Sequence, residues 1–303
     1  MIPGTLRGTL RGPLTGLRLR HGLRYAVDMT SGHILGAGIV SVWLMASCSM
    51  SGGHADFDLK RVPGTHVFES EKDFDSTLVS GRFRLLNNVW NKGATTGRYR
   101  QKIFVNDDNG KAVFGWVWKW RDSSAVATCP EIQVGQSPWA SEAAPDAGFP
   151  FQAGTKKLVA NFDIALEATG SYNLAFEFWA VSALPASPNT ITHEVMIWIG
   201  GERLAAAGNM VGKTTIDGNE FSIFLRKNHG DASGVNQNTW TIISLLAEKP
   251  ILHGPLDIGQ IIDFLLKKGY LSARLFIANL ELGDEVMRGS GTTVVRNFAV
   301  TVE

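Results

Sequence analysis

Lys111-Ala112-Val113-Phe114-Gly115-Trp116-Val117-Trp118-Lys119-Trp120 is a stretch in which every second residue from Phe114 onward is aromatic. At a period of two, Phe114, Trp116, Trp118 and Trp120 fall on one face of an extended strand, an alignment that a helix does not produce. Similar runs of Val, Ile, Phe, Trp and Thr, alternating with polar residues and bounded by Gly, Asn, Asp and Pro, recur downstream. They mark strands at 158–167, 172–182, 194–199, 220–225, 240–246, 274–282 and 292–302. Only 257–268 departs from this pattern. Ile258, Ile261, Ile262, Leu265 and Leu266 recur there at helical spacing, Lys267 and Lys268 suit the last turn, and Gly269 follows as a stop. Many short strands, one helix and no second compositional regime specify a single all-β sandwich or barrel.

The chain has 303 residues, enough to bury a substantial core, and its 10% aromatic content excludes a disordered, solvating polymer. A formal charge of +1 excludes a dedicated nucleic-acid binder. That value hides an asymmetry. Residues 1–47 hold five of the 29 bases and one of the 28 acids, so the remainder carries 24 against 27.

Residues 1–47 read as a signal region. A start rich in Arg gives way to a stretch without formal charge from Met29 to Ala55, containing the apolar run 34–46. That run is too short to span a membrane, which takes about 20 residues, but it has the length of a signal core. Ala46-Ser47-Cys48 resembles a bacterial lipoprotein signal, with Cys48 as the lipidated residue and an outer-membrane or cell-surface anchor. An ordinary export signal cut near Ala46-Ser47 is the alternative. Residues 48–80 form a spacer and N-terminal extension, and 81–303 the main domain. Cys129 is then unpaired, or bridged to Cys48.

Alternation also sorts side chains by face. Val195, Ile197 and Ile199 share one side of their strand, and Glu194, Met196 and Trp198 the other. Phe176 and Phe178 oppose Glu177 and Trp179, while Leu280 and Leu282 oppose Asn279, Glu281 and Glu285. Carboxylates and indoles opposite an aliphatic face suit a carbohydrate, because sugar rings stack on aromatics and paired carboxyls cleave glycosidic bonds. A strand Trp is ordinarily core and a strand Glu ordinarily solvated, so the coincidence on several strands carries the weight. Ala207–Thr214 is one residue from a phosphate-binding loop but lacks a following helix. The histidines have no metal-ligand spacing, and no cofactor is expected.

His193-Glu194-Val195-Met196-Ile197-Trp198 resembles the Glu-Leu-Met-Ile-Trp nucleophile strand of glycoside hydrolase family 12. Four further stretches follow that family's order. They are Asn87-Asn88-Val89-Trp90, the Trp-rich 115–120, the helix ending Lys268-Gly269-Tyr270, and Leu282-Gly283-Asp284-Glu285, which is similar to its Phe-Gly-Thr-Glu segment. The resemblance covers about residues 82–303. It implies a β-jelly roll of two curved antiparallel sheets, one α-helix packed on the convex side, and an open cleft on the concave face. It further implies a monomer that hydrolyses β-1,4-glucans with retention.

By position, Glu194 is the expected nucleophile, Glu285 the expected acid/base, and Glu177 an outer partner where the family has Asp. Asn88, Trp90, Trp118, Trp120, Met196 and Trp198 are expected to meet the sugar. Glu281 is a carboxylate on the same face with no catalytic role in the family, and Met287 stands where the family commonly has Phe. A glucan-binding module without catalysis and a xylanase of the related jelly-roll family are the rival readings.

Overall fold

The computed structural model describes residues 62–140, 148–231 and 234–303; the signal region, Cys48 and the rest of the spacer up to residue 61 lie outside them. The alternating sequence becomes β1 (Thr65–Ser70), β2 (Ser76–Val79), β3 (Phe83–Leu86), β4 (Arg100–Asp108), β5 (Lys111–Trp120), β6 (Glu131–Gly135) and β7 (Phe151–Gln152). Then come β8 (Leu158–Val181), β9 (Ile191–Glu202), β10 (Asn209–Ile216), β11 (Asn219–Gly230), β12 (Thr239–Ala247) and β13 (Leu256–Asp257). The helix α1 (Ile258–Lys267), β14 (Phe276–Ile277), β15 (Asn279–Gly283) and β16 (Val286–Val302) complete the described chain. β1 and β2 pair with β4 and β3, so folded structure begins within the stretch read as spacer.

One layer runs β1-β4-β5-β16 to the first part of β8. The other runs β2-β3-β6-β15 to the second part of β8 and on through β9, β12, β11 and β10. Phe114, Trp116 and Ile103 from the first layer meet Phe176, Val195 and Ile243 from the second in one hydrophobic core. The expectation of purely antiparallel sheets needs one correction, since β9 and β12 pair in parallel.

The sequence reads as two strands, 158–167 and 172–182, yet β8 is continuous for 24 residues. Gly170 (φ +134°) faces Gly289 (φ +118°) across the ladder to β16. A Cβ at Gly170 would stand 2.2 Å from the Arg288 carbonyl oxygen, so only glycine lets the backbones approach this closely. Beyond Tyr172, two residues on, β8 leaves β16 and pairs instead with β9 and β15. Gly170 thus marks a crossing between layers rather than a turn.

The helix matches its pattern. Asp257 Oδ1 caps the Gln260 amide at 3.1 Å, and Gly269 (φ +69°) ends the run. Ile258, Ile261, Ile262 and Leu265 join the main core. The stretch resembling a phosphate loop is mostly strand β10.

Candidate active site

Because Val195, Ile197 and Ile199 belong to the core, Glu194, Met196 and Trp198 must face away from it. Cross-strand register then builds a continuous surface. Glu194 sits beside Trp179 of β8 and Ile242 of β12, and Met196 beside Glu177 and Ser244. Glu177 neighbours Glu281 of β15, which neighbours Gln133 of β6, and Gly283 lies opposite Glu131. Four carboxyls, Glu131, Glu281, Glu177 and Glu194, thus come from four adjacent strands of one face. Glu285 follows two residues after the end of β15.

Crowding and burial act together on these groups. Burial lifts Glu177 well above the usual carboxylate range, and the charge of Glu194 adds to the rise. It lifts Glu131 likewise, with the Glu281 charge adding, against hydrogen bonds from the Asn88 and Gln133 amides. Glu281 is pushed up to about 7 by burial although it accepts from Asn279 Nδ2 (2.6 Å), Gln133 Nε2 (3.2 Å) and Trp179 Nε1 (3.3 Å).

Glu194 and Glu285 form the second set. Burial, then the charge of Glu285, raises Glu194 to about 8; burial raises Glu285 to about 7. Groups that interact in this way lose protons in two steps that belong to the pair. The Trp240 indole, a donor only, sits 2.6 Å from Glu194 Oε2 and favours its ionised form. Asn173 holds Glu285 at both ends: its Oδ1 accepts the Glu285 amide (3.1 Å) and its Nδ2 donates to Glu285 Oε2 (2.6 Å). Of the two, Glu285 is the more open to solvent. The face therefore offers one carboxylate fixed by an indole and one accessible carboxyl able to carry a proton.

Asn88 and Trp90, just past β3, are partly exposed, and Asn88 Nδ2 donates to Glu131 Oε1 at 2.9 Å. Met196 and Trp198 do share the Glu194 face. They are nearly covered, packing with Ala175, Ile242 and the segment containing Leu204, Ala206 and Ala207.

Trp118 and Trp120 require a correction. Both are buried in the core between the layers. Trp118 Nε1 donates to Asp284, while Trp120 stacks on Tyr99 at 4.2 Å and donates to Gln101. Alternation groups these indoles on one face but does not say what that face meets. The exposed Lys111 and Lys119 on the opposite side mark the outer surface. An aromatic wall does stand by Glu194, built instead from Trp179, Trp240 and Trp139. Their rings meet edge to face at 5.7–5.8 Å, with Trp139 the exposed member. Glu131, Trp139, Trp240 and Asn173 were not singled out from sequence. Among the described residues no His, Cys, Asp and Glu grouping is arranged to hold a metal.

Residues 81–303 match the profile of Glycosyl hydrolase family 12. Endoglucanase S of Pectobacterium parmentieri is 26% identical over 239 residues, spanning 77% of this chain and 87% of that protein. A probable xyloglucan-specific endo-beta-1,4-glucanase A of Aspergillus clavatus is 23% identical over 243 residues, 76% of this chain and 90% of that protein. Among solved structures, a native family 12 xyloglucanase from Bacillus licheniformis aligns with a TM-score of 0.70 at 26% identity. That alignment covers 78% of this chain and all of the other. The two-layer architecture is the jelly roll that the resemblance implied.

Proposed function

This chain belongs to glycosyl hydrolase family 12, and from that premise we propose that it is an endo-β-1,4-glucanase acting with retention of configuration. Glu194 attacks the anomeric carbon while Glu285 gives its proton to the glycosidic oxygen. The bond to the leaving sugar breaks and a glycosyl ester on Glu194 forms. Glu285 then takes a proton from water, whose oxygen attacks the same carbon and releases Glu194. The observation that carries this reading is the juxtaposition itself. Glu194 is buried, bonded to a donor-only indole, and within reach of the charge of the more open Glu285. Glu177 lies on the neighbouring strand opposite Met196, where burial and the charge of Glu194 favour its protonated form. Asn88 and Trp90 offer a polar and an aromatic contact to a sugar bound along the face.

Reducing-sugar release from carboxymethylcellulose, barley glucan and xyloglucan tests the activity, with Glu194→Gln and Glu285→Ala as controls. Both variants lose polymer hydrolysis, and Glu285→Ala keeps turnover of an activated aryl cellobioside in its first step. Retention appears by proton NMR as a β-anomer released first; an α-anomer overturns it. Wild-type hydrolysis by Glu194→Gln means a different catalytic pair, and no hydrolysis by the unaltered chain leaves a binding module. The same panel ranks the glucans.

The signal region supports a location. We propose that residues 1–47 direct export, that Cys48 is acylated, and that the catalytic domain works as an anchored monomer at the cell envelope. Mass spectrometry of the mature N-terminus, with Cys48→Ser for comparison, distinguishes a lipidated Cys48 from ordinary cleavage.

A further inference from the structure

Glu285 is followed and preceded by backbone held from one neighbouring segment. Asp284 N donates to Pro130 O (3.3 Å), Val286 N to Thr128 O (3.0 Å), and Ala127 N to Val286 O (2.9 Å). Between these ties the two side chains part: Asp284 meets Trp116, Trp118 and Thr293, while Glu285 meets Asn173. Glu285 points to the face bearing the other carboxyls. Asp284 points into the space between the layers and is wholly buried.

There its Oδ2 accepts three hydrogen bonds, from Trp116 Nε1 (2.9 Å), Trp118 Nε1 (2.7 Å) and Thr293 Oγ1 (2.7 Å). Oδ1, equally buried, has no partner among the described residues. Trp116 and Thr293 lie opposite one another on β5 and β16, so a single oxygen gathers donors from two strands of the other layer. A buried carboxylate is costly, and a hydroxyl such as that of Thr, which the resembling motif has here, adds a donor of its own and no charge. What the carboxylate adds is a charge-assisted, three-point grip on the backbone that carries the next residue.

The geometry points to Asp284 as a positioning residue that, through this grip, aims the Glu285 carboxyl at the scissile oxygen. The inference rests on the acid/base role proposed for Glu285. Asp284 touches no substrate. It fixes the direction of the Glu285 Cα–Cβ bond, while Asn173 fixes the carboxyl at the other end. Burial raises Asp284 to about 6 against the pull of its three donors, so the carboxyl is mainly ionised at pH 7.

The test compares Asp284→Ala, Asp284→Asn and Thr293→Val with Glu285→Ala in the full-length chain, using a glucan polymer and a dinitrophenyl cellobioside. A misdirected acid/base lowers polymer turnover, on the order of a hundredfold for Asp284→Ala, because its leaving group needs a proton. The dinitrophenyl substrate needs none to form the glycosyl ester, so its kcat/KM is largely retained. Azide then attacks the anomeric carbon without base assistance, breaks the ester to Glu194, and raises turnover with formation of a glycosyl azide. Asp284→Asn, which keeps a carbonyl oxygen for the indoles, restores most polymer activity.

Equal loss on both substrates with no azide response in Asp284→Ala overturns the proposal, and so does full activity on both. Thr293→Val removes one of the three donors and decides the matter if Asp284→Ala does not fold. A partial, azide-responsive loss of a few-fold supports the proposal, and its absence overturns it. If Glu285→Ala itself gives no azide response, the acid/base assignment falls and this inference with it. If Glu285→Ala responds and the Asp284 and Thr293 variants do not, only the positioning role fails.

Discussion

Trp240 Nε1 and Glu194 Oε2 stand 2.6 Å apart, on strands β12 and β9 that run in parallel. An indole can only donate, so this contact stabilises Glu194 as a carboxylate. In Trp240→Phe the ring remains and the donor is lost. A hydrogen bond to a charged group contributes about 1.5–3 kcal/mol, so kcat/KM on glucan is expected to fall at least tenfold. Glu194 also binds its proton more tightly, so the acidic limb of the pH–rate profile moves to higher pH. An unchanged acidic limb in a folded variant contradicts the role given to the indole.

The carboxyl face makes stability depend on pH in an unusual direction. Glu281 (about 7), Glu131 and Glu177 all have folded values above the ordinary carboxylate range. A raised carboxyl stabilises the fold fully below its unfolded pKa, near 4.3, and that contribution is lost as pH rises through the folded value. Thermal melts are therefore expected to show a lower Tm at pH 8 than at pH 5. Glu281→Gln flattens the slope, because it removes one of the groups that must ionise. A Tm that climbs between these pH values counts against raised carboxyls on this face.

Two tryptophans separate sugar binding from packing. Trp139 is 43% exposed and leans edge-on against Trp179 and Trp240. Trp139→Ala is expected to raise KM for long glucans several-fold, in line with about 0.5–1.5 kcal/mol for an aromatic contact, with little change in Tm. Trp118→Ala empties a core position and leaves Asp284 short of a donor, so a loss of about 3–5 kcal/mol in stability is expected. Chemical denaturation and Michaelis kinetics on both variants check the contrast.

Periodicity made much of this fold readable. The faces of β9 and β15 follow from alternation, because Val195, Ile197, Leu280 and Leu282 cannot be core unless Glu194 and Glu281 point the other way. The helix followed from its spacing and its Gly269 stop. Alternation stays silent on which side a layer turns toward its partner, which is why Trp118 and Trp120 were expected at the sugar and lie in the core. It is equally silent on register between distant strands. Glu131 meets Glu281 across 150 residues of chain, and Trp240 reaches Glu194 through a parallel pairing that nothing local announces. Asn173 sits just past Gly170, where the sequence pattern breaks although the strand does not.

That unbroken strand has a thermal consequence. β8 is a common covalent spine: one half is laddered to β16, and the other to β9 and β15, bearing Asn173, Glu177 and Trp179. Neither layer can peel away without unzipping the backbone that the other depends on. Heating should then leave no partly melted form in which the cleft has come apart while the rest persists. Loss of glucan hydrolysis and loss of the β-sheet circular-dichroism signal are expected to coincide in a single transition.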